Sequence, residues 1–148
     1  MLPGVAAALA ELTPAYWLVL VSFRRHEAAL RDQVAALGLA PRFAAVVACH
    51  QPDLPGWRAK AAAIQADPGF DPGRAAVAGD TEDDISAGQA LGVPTVAVLS
   101  GLRTPAFLTA LQPTVVLPSL ARLPAWLAGS GPSPGWFQSL NGGACRNT

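Results

Sequence analysis

Apolar runs of strand length alternate with helix-length stretches along most of the chain. The pattern predicts a helix over 4–12, then a buried strand over 16–21 (YWLVLV), rich in aromatic and β-branched residues. An amphipathic helix follows over 26–37, with Leu30, Val34 and Leu37 on one face and Gly38 as its stop. Residues 43–48 (FAAVVA) read as a second strand, and 57–65 as a helix ended near Pro68. A third strand over 75–78 runs into Gly79-Asp80, 83–91 is helical, and Gly92 stops it. Residues 94–99 (PTVAVL) form a fourth strand, 104–111 a helix, 114–117 a short fifth strand and 120–127 a last helix.

These strands are continuous apolar runs, which suits a parallel sheet covered on both faces. Strand–helix alternation then implies right-handed crossovers and a three-layer α/β/α domain. That core takes in residues 1–128. From 129 to 148 the chain turns to Gly, Ser, Pro and Asn and reads as a flexible tail, with Trp136 and Phe137 as its two groups able to dock.

Composition narrows the picture. A chain of 148 residues suits one domain. At this size roughly 68–70% of the unfolded surface is buried, so the core needs neither disulfide nor metal. With 51% hydrophobic and 14% charged residues, general disorder is excluded. The net charge is zero and no basic stripe is present, so nucleic acid is not an expected partner. Cys49 and Cys145 are too few for a disulfide framework and point to a reducing cytoplasm. Cys49, His50 and His26 lack the spacing of a four-ligand zinc site. Glu11 and Pro14 interrupt the first apolar stretch and no positive residue precedes it, unlike a signal peptide. The run 15–21 is too short to span a bilayer, so a soluble protein without a membrane partner is expected.

In parallel α/β sheets ligands bind at the carboxyl ends of the strands, so polar residues that follow strands carry the candidate chemistry. The segment Gly79-Asp80-Thr81-Glu82-Asp83-Asp84 places four acids within five residues at a helix start. Such acids repel one another unless a positive charge sits among them, and magnesium is one such charge. They also suit a helix dipole, with Asp or Thr as the cap. Gly79 would let the backbone come close to a ligand. Ser22 follows YWLVLV and could hold a phosphate oxygen at a helix start or serve as an N-cap. Lys60 is the single lysine in a chain that otherwise uses arginine, which suits a required point charge or a solvated helix residue.

Together these positions resemble the haloacid dehalogenase superfamily, most similarly its phosphoglycolate-phosphatase-like members. The likeness extends over 2–128: the opening Leu2-Pro3-Gly4-Val5, Ser22, Lys60, the acidic motif, Ile85-Ser86-Ala87-Gly88, Ala90-Leu91-Gly92-Val93 and the strand PTVAVL. It implies catalytic roles for Ser22, Lys60, Asp80 and Asp84. Ser22 and Lys60 would bind the phosphoryl group. Asp80 would ligate Mg2+, and Asp84 would support the ion or orient Lys60. The implied substrate is a small phosphorylated metabolite.

One feature of that family has no counterpart here. Its members attack phosphorus with an aspartate on an Asp-x-Asp motif, giving an aspartyl-phosphate. No Asp-x-Asp occurs upstream of Ser22, and the one acid there is Glu11. The resemblance places the nucleophile strand between the Ser22 strand and the Asp80 strand. Without it these two must pair directly or leave open edges, which are costly. A partner chain could supply the strand, or the reading frame could begin late. The expected function is therefore a phosphomonoester hydrolase, truncated and inactive alone. The alternative is a non-catalytic interaction module on a degenerate core, joined to an oligomer or partner through its exposed sheet edge. An unrelated nucleotide binder has little support, since no G-x-G-x-x-G or Walker motif follows a strand.

Overall fold

The computed structural model describes residues 3–130. A short helix, α1 (Val5–Leu12), leads into β1 (Val19–Ser22), which pairs in parallel with β2 (Ala45–Ala48). Helix α2 (Glu27–Ala36) and a 3-10 turn (Ala40–Arg42) connect the two strands. Gly38 stops α2 in the left-handed region, at φ 70°. Helix α3 (Gly56–Ala66) then crosses to β3 (Val77–Gly79), followed by α4 (Glu82–Ala90), β4 (Thr95–Val98), α5 (Pro105–Ala110) and β5 (Val115–Leu117). β3, β4 and β5 form a second parallel group, in that order.

Strand β4 sits at the centre of this second group and is buried along its whole length. Ala97 packs with Ile85 of α4 and Leu108 of α5 on one face. Val96 and Val98 pack with Leu117, Leu123 and Trp126 on the other. Helices therefore cover both faces, giving the three-layer α/β/α arrangement. The β1–β2 pair has its own core of Leu30, Val34 and Val46.

Two expectations are corrected. The first strand starts at Val19, because Ala15 and Tyr16 donate backbone N–H bonds to the Leu12 carbonyl and prolong the end of α1. Tyr16 and Trp17 are left exposed. The last helix is broken into a 3-10 turn (Leu120–Arg122), a single α turn, α6 (Leu123–Ala125), and a π turn (Trp126–Ser130). Pro124 lacks an N–H and starts a new turn. The sheet itself is also divided, since β1 and β3 are not hydrogen-bonded to each other. Of the two outcomes foreseen for these strands, open edges are the one found among the described residues. The tail and the docking of Trp136 and Phe137 lie outside the described residues from 131 onward.

Candidate functional site

Lys60 lies in α3 and is 8% exposed. Its Nζ donates to Asp84 Oδ1 at 2.5 Å. Asp84 is the third residue of α4, and its other oxygen, Oδ2, accepts from the Thr81 backbone N–H at 3.1 Å and the Thr81 hydroxyl at 2.7 Å. Thr81 is the N-cap residue, so Asp84 closes the start of α4 while gripping Lys60. Both carboxylate oxygens thus accept hydrogen bonds, and Oδ1 keeps one lone pair open. The geometry is that of a group that orients Lys60.

The other acids are placed separately. Glu82 accepts two hydrogen bonds from Arg103, at 2.8 and 2.6 Å. That bonding holds the Glu82 carboxyl below the usual carboxylate range and pushes Arg103 up. The repulsion expected among four acids is therefore relieved at two of them by cationic side chains, Lys60 and Arg103. Sequence reasoning missed Arg103. The strand-end rule could have found it, since it sits on the loop that follows β4.

Three close approaches by glycine seat the remaining carboxylates. A Cβ on Gly101 would clash with the carboxylate of Asp80, and one on Gly56 with that of Asp83. The space beside Gly79 is filled by Asp84 itself. The close neighbour of that glycine is thus a side chain of its own motif.

Ser22 ends β1. The N-cap of α2 is His26, so Ser22 does not cap that helix. The Ser22 carbonyl accepts from the Arg24 N–H at 2.8 Å and from the Cys49 N–H at 2.9 Å. Cys49, just past β2, is buried. Burial pushes its thiol up, Lys60 pulls it back, and Asp84 and Asp83 add to the rise.

Between β1 and β3 lies a cleft of about 590 Å³. Val19 and Val21 line one wall, Ala76 and Ala78 the other, with Ile64 of α3 and Leu127 also lining it. Lys60 and Asp84 also line it, and the Trp17 indole donates to Asp67 Oδ1 at 3.0 Å among the residues at its border.

Among the described residues no group of three or more His, Cys, Asp and Glu side chains could hold a metal ion. Magnesium asks for near-octahedral oxygen coordination. Asp84 accepts from Lys60 and Thr81 and keeps one lone pair for an ion, on Oδ1. The described residues therefore do not by themselves fit a magnesium site.

The HAD-hydrolase-like family model matches residues 52–123. Two solved structures resemble the chain. One is a haloacid dehalogenase-like family hydrolase from Streptococcus pneumoniae, with a TM-score of 0.73 and 21% identity, covering 85% of this chain and 59% of that one. The other is a HAD-superfamily hydrolase of subfamily IA, variant 1, from Geobacter sulfurreducens, with a TM-score of 0.64 and 20% identity, covering 86% of this chain and 61% of that one. The chain thus spans about three fifths of each. No curated protein matches it.

Proposed function

We propose that this chain, whose residues 52–123 belong to the haloacid dehalogenase-like hydrolase family, is the phosphate-handling part of a phosphomonoester hydrolase and is inactive on its own. The observation that carries the reading is Lys60. It is the chain's single lysine, nearly buried, and held by Asp84 where α3 meets the start of α4. An ammonium fixed in a partly dry site stabilises an anionic phosphoryl group far better than one in water. Ser22 at the end of β1 donates its hydroxyl to a phosphoryl oxygen. Asp80 offers a carboxylate to Mg2+, whose other protein ligands this segment does not provide. The substrate is a small phosphorylated metabolite, and the setting is the reducing cytoplasm that free, buried Cys49 suits. Among the described residues no helix is long and apolar enough to cross a membrane.

Inactivity follows from the missing nucleophile. Phosphoryl transfer through an aspartyl-phosphate needs a free carboxylate in line with phosphorus. Upstream of Ser22 the one acid is Glu11, exposed on α1. The chain is therefore expected to leave p-nitrophenyl phosphate unhydrolysed in the presence of magnesium. Turnover that Asp80→Asn abolishes would overturn the inactivity and reveal a nucleophile elsewhere.

The divided sheet favours a second reading, a non-catalytic interaction module on the same core. It predicts a stable complex with a partner chain or a second copy. A well-folded monomer whose β1 and β3 amides are all protected from exchange would count against it.

A further inference from the structure

We infer that Phe23 and His50 determine substrate choice, forming a ledge on which the ring of an aryl phosphate monoester stacks while its phosphoryl group lies at Ser22. The inference rests on the functional reading above and narrows the substrate class of that same site.

The ledge is built by the backbone. β1 and β2 end their pairing at Ser22 and Ala48. Beyond that point the Cys49 N–H donates to the Ser22 carbonyl at 2.9 Å, and the His50 N–H to the Arg24 carbonyl at 3.2 Å. These two bonds tie together the loops that follow the strands. The Phe23 and His50 rings meet there, with centroids 4.8 Å apart and planes at 43°, inside the range of aromatic pairs. The Phe23 side chain is nevertheless 38% exposed. A ring already held between tied loops loses little freedom when a second ring covers it, so such a contact is favourable.

Position decides what the second ring belongs to. Phe23 directly follows Ser22, so their Cα atoms are about 3.8 Å apart. In a phosphate monoester a single oxygen joins phosphorus to the organic group. A group esterified to a phosphoryl held by Ser22 is therefore within a side chain's length of Phe23. The other exposed aromatics are placed differently. Tyr16 and Trp17 precede β1, at the opposite end of that strand, and Phe107 lies in α5 under the Arg103 guanidinium.

Charge favours an anionic ester over a neutral aromatic compound. Arg24 and Arg25 follow Phe23 and are exposed. Arg24 donates to the uncharged Gln33, and the next acid in the chain, Glu27, is bonded to Arg31. The loop therefore presents positive charge beside the ledge. An alkyl group would cover part of the Phe23 ring but would gain nothing from stacking beyond its area.

The test uses the full chain and three probes that share one phosphate: inorganic phosphate, n-propyl phosphate and phenyl phosphate. Binding is followed by 15N and histidine 13C–1H shifts at pH 8, where the esters are dianions. Phenyl phosphate should bind about fivefold or more tighter than propyl phosphate. Its ring current should move the His50 ring protons, while His26, the chain's other histidine, stays in place. Phe23→Leu keeps an apolar side chain at an exposed position and should bring the two esters to within about twofold of each other, with the fold checked by circular dichroism. His50→Gln removes the other ring and should lower the ratio as well. Lys60→Met should weaken both esters and leave their ratio. Equal affinity for the two esters would overturn the inference and leave the reading of Lys60 standing. So would a preference that survives Phe23→Leu, or ring-current shifts at Trp17 in place of His50. No binding by any of the three probes would overturn both.

Discussion

Lys60 Nζ lies 2.5 Å from Asp84 Oδ1, and the two side chains are only 11% and 13% exposed. This one contact ties α3 to the start of α4 and sets the charge at the rim. Removing one partner of a nearly buried pair strands the other's charge, which costs about 3–5 kcal/mol. Asp84→Ala is therefore expected to be severely destabilising in urea unfolding, more so than Lys60→Met, because it also frees Thr81 at the cap. The double variant Lys60→Met with Asp84→Asn should recover part of the loss. Strict additivity of the two changes would contradict a direct pair.

Gly79 and Gly101 both sit against carboxylates, and substitution at either should destabilise. At Gly79 an added Cβ meets Asp84, which is fixed on both oxygens. At Gly101 it would lie 2.5 Å from the Cβ of Asp80, an atom that side-chain rotation does not move. Gly79→Ala and Gly101→Ala should each cost about 1–3 kcal/mol in urea unfolding, as overpacking does. An unchanged midpoint in either variant would mean that the backbone there yields freely.

The Glu82 carboxyl is held low chiefly by its hydrogen bonds from Arg103. A carboxyl lowered in the folded state contributes stability above its ordinary range and loses it as pH falls through the folded value. The acid limb of a stability–pH curve should therefore flatten in Arg103→Gln, by a small amount because the pair is half-exposed and salt-screened. An NMR titration of Glu82 in that variant should show the carboxyl rising toward its usual range. No change on removing Arg103 would assign the effect to the helix start instead.

Burial pushes the Cys49 thiol above its ordinary range and shields it from reagents. In a Cys145→Ser background, iodoacetamide should modify the native protein slowly near pH 7.5 and the urea-unfolded protein readily. Fast native alkylation would mean the thiol is exposed or its thiolate stabilised by Lys60.

Much of this architecture was legible in the chain. Apolar runs located every strand within a few residues, because strands buried on both faces read as unbroken hydrophobic stretches. The glycine stop at Gly38 was equally plain, since the left-handed backbone there favours that residue. Less was legible where pairing or neighbours decide. β1 begins at Val19, opposite Ala45 of β2 and after the turn that prolongs α1, and nothing local in YWLVLV marks that point. Leu120–Arg122 and the turns after it were read as one helix because their apolar spacing hid the effect of Pro124. In the site, Lys60 and Asp84 were singled out by residue type and spacing. Arg103 was not, because its match to Glu82 joins the loop after β4 to the first turn of α4, 21 residues apart in the chain.

The account stands most directly on whether the ends of β1 and β3 form one phosphate-accepting rim. Inorganic phosphate titrated into the 15N-labelled chain, with and without magnesium, tests this by chemical shift. The account predicts saturable shifts confined to Ser22 and Phe23, the start of α3 through Lys60, and Gly79 through Thr81, reduced in Lys60→Met. Shifts elsewhere on the surface, or a response unaltered when Lys60 is replaced, would contradict it.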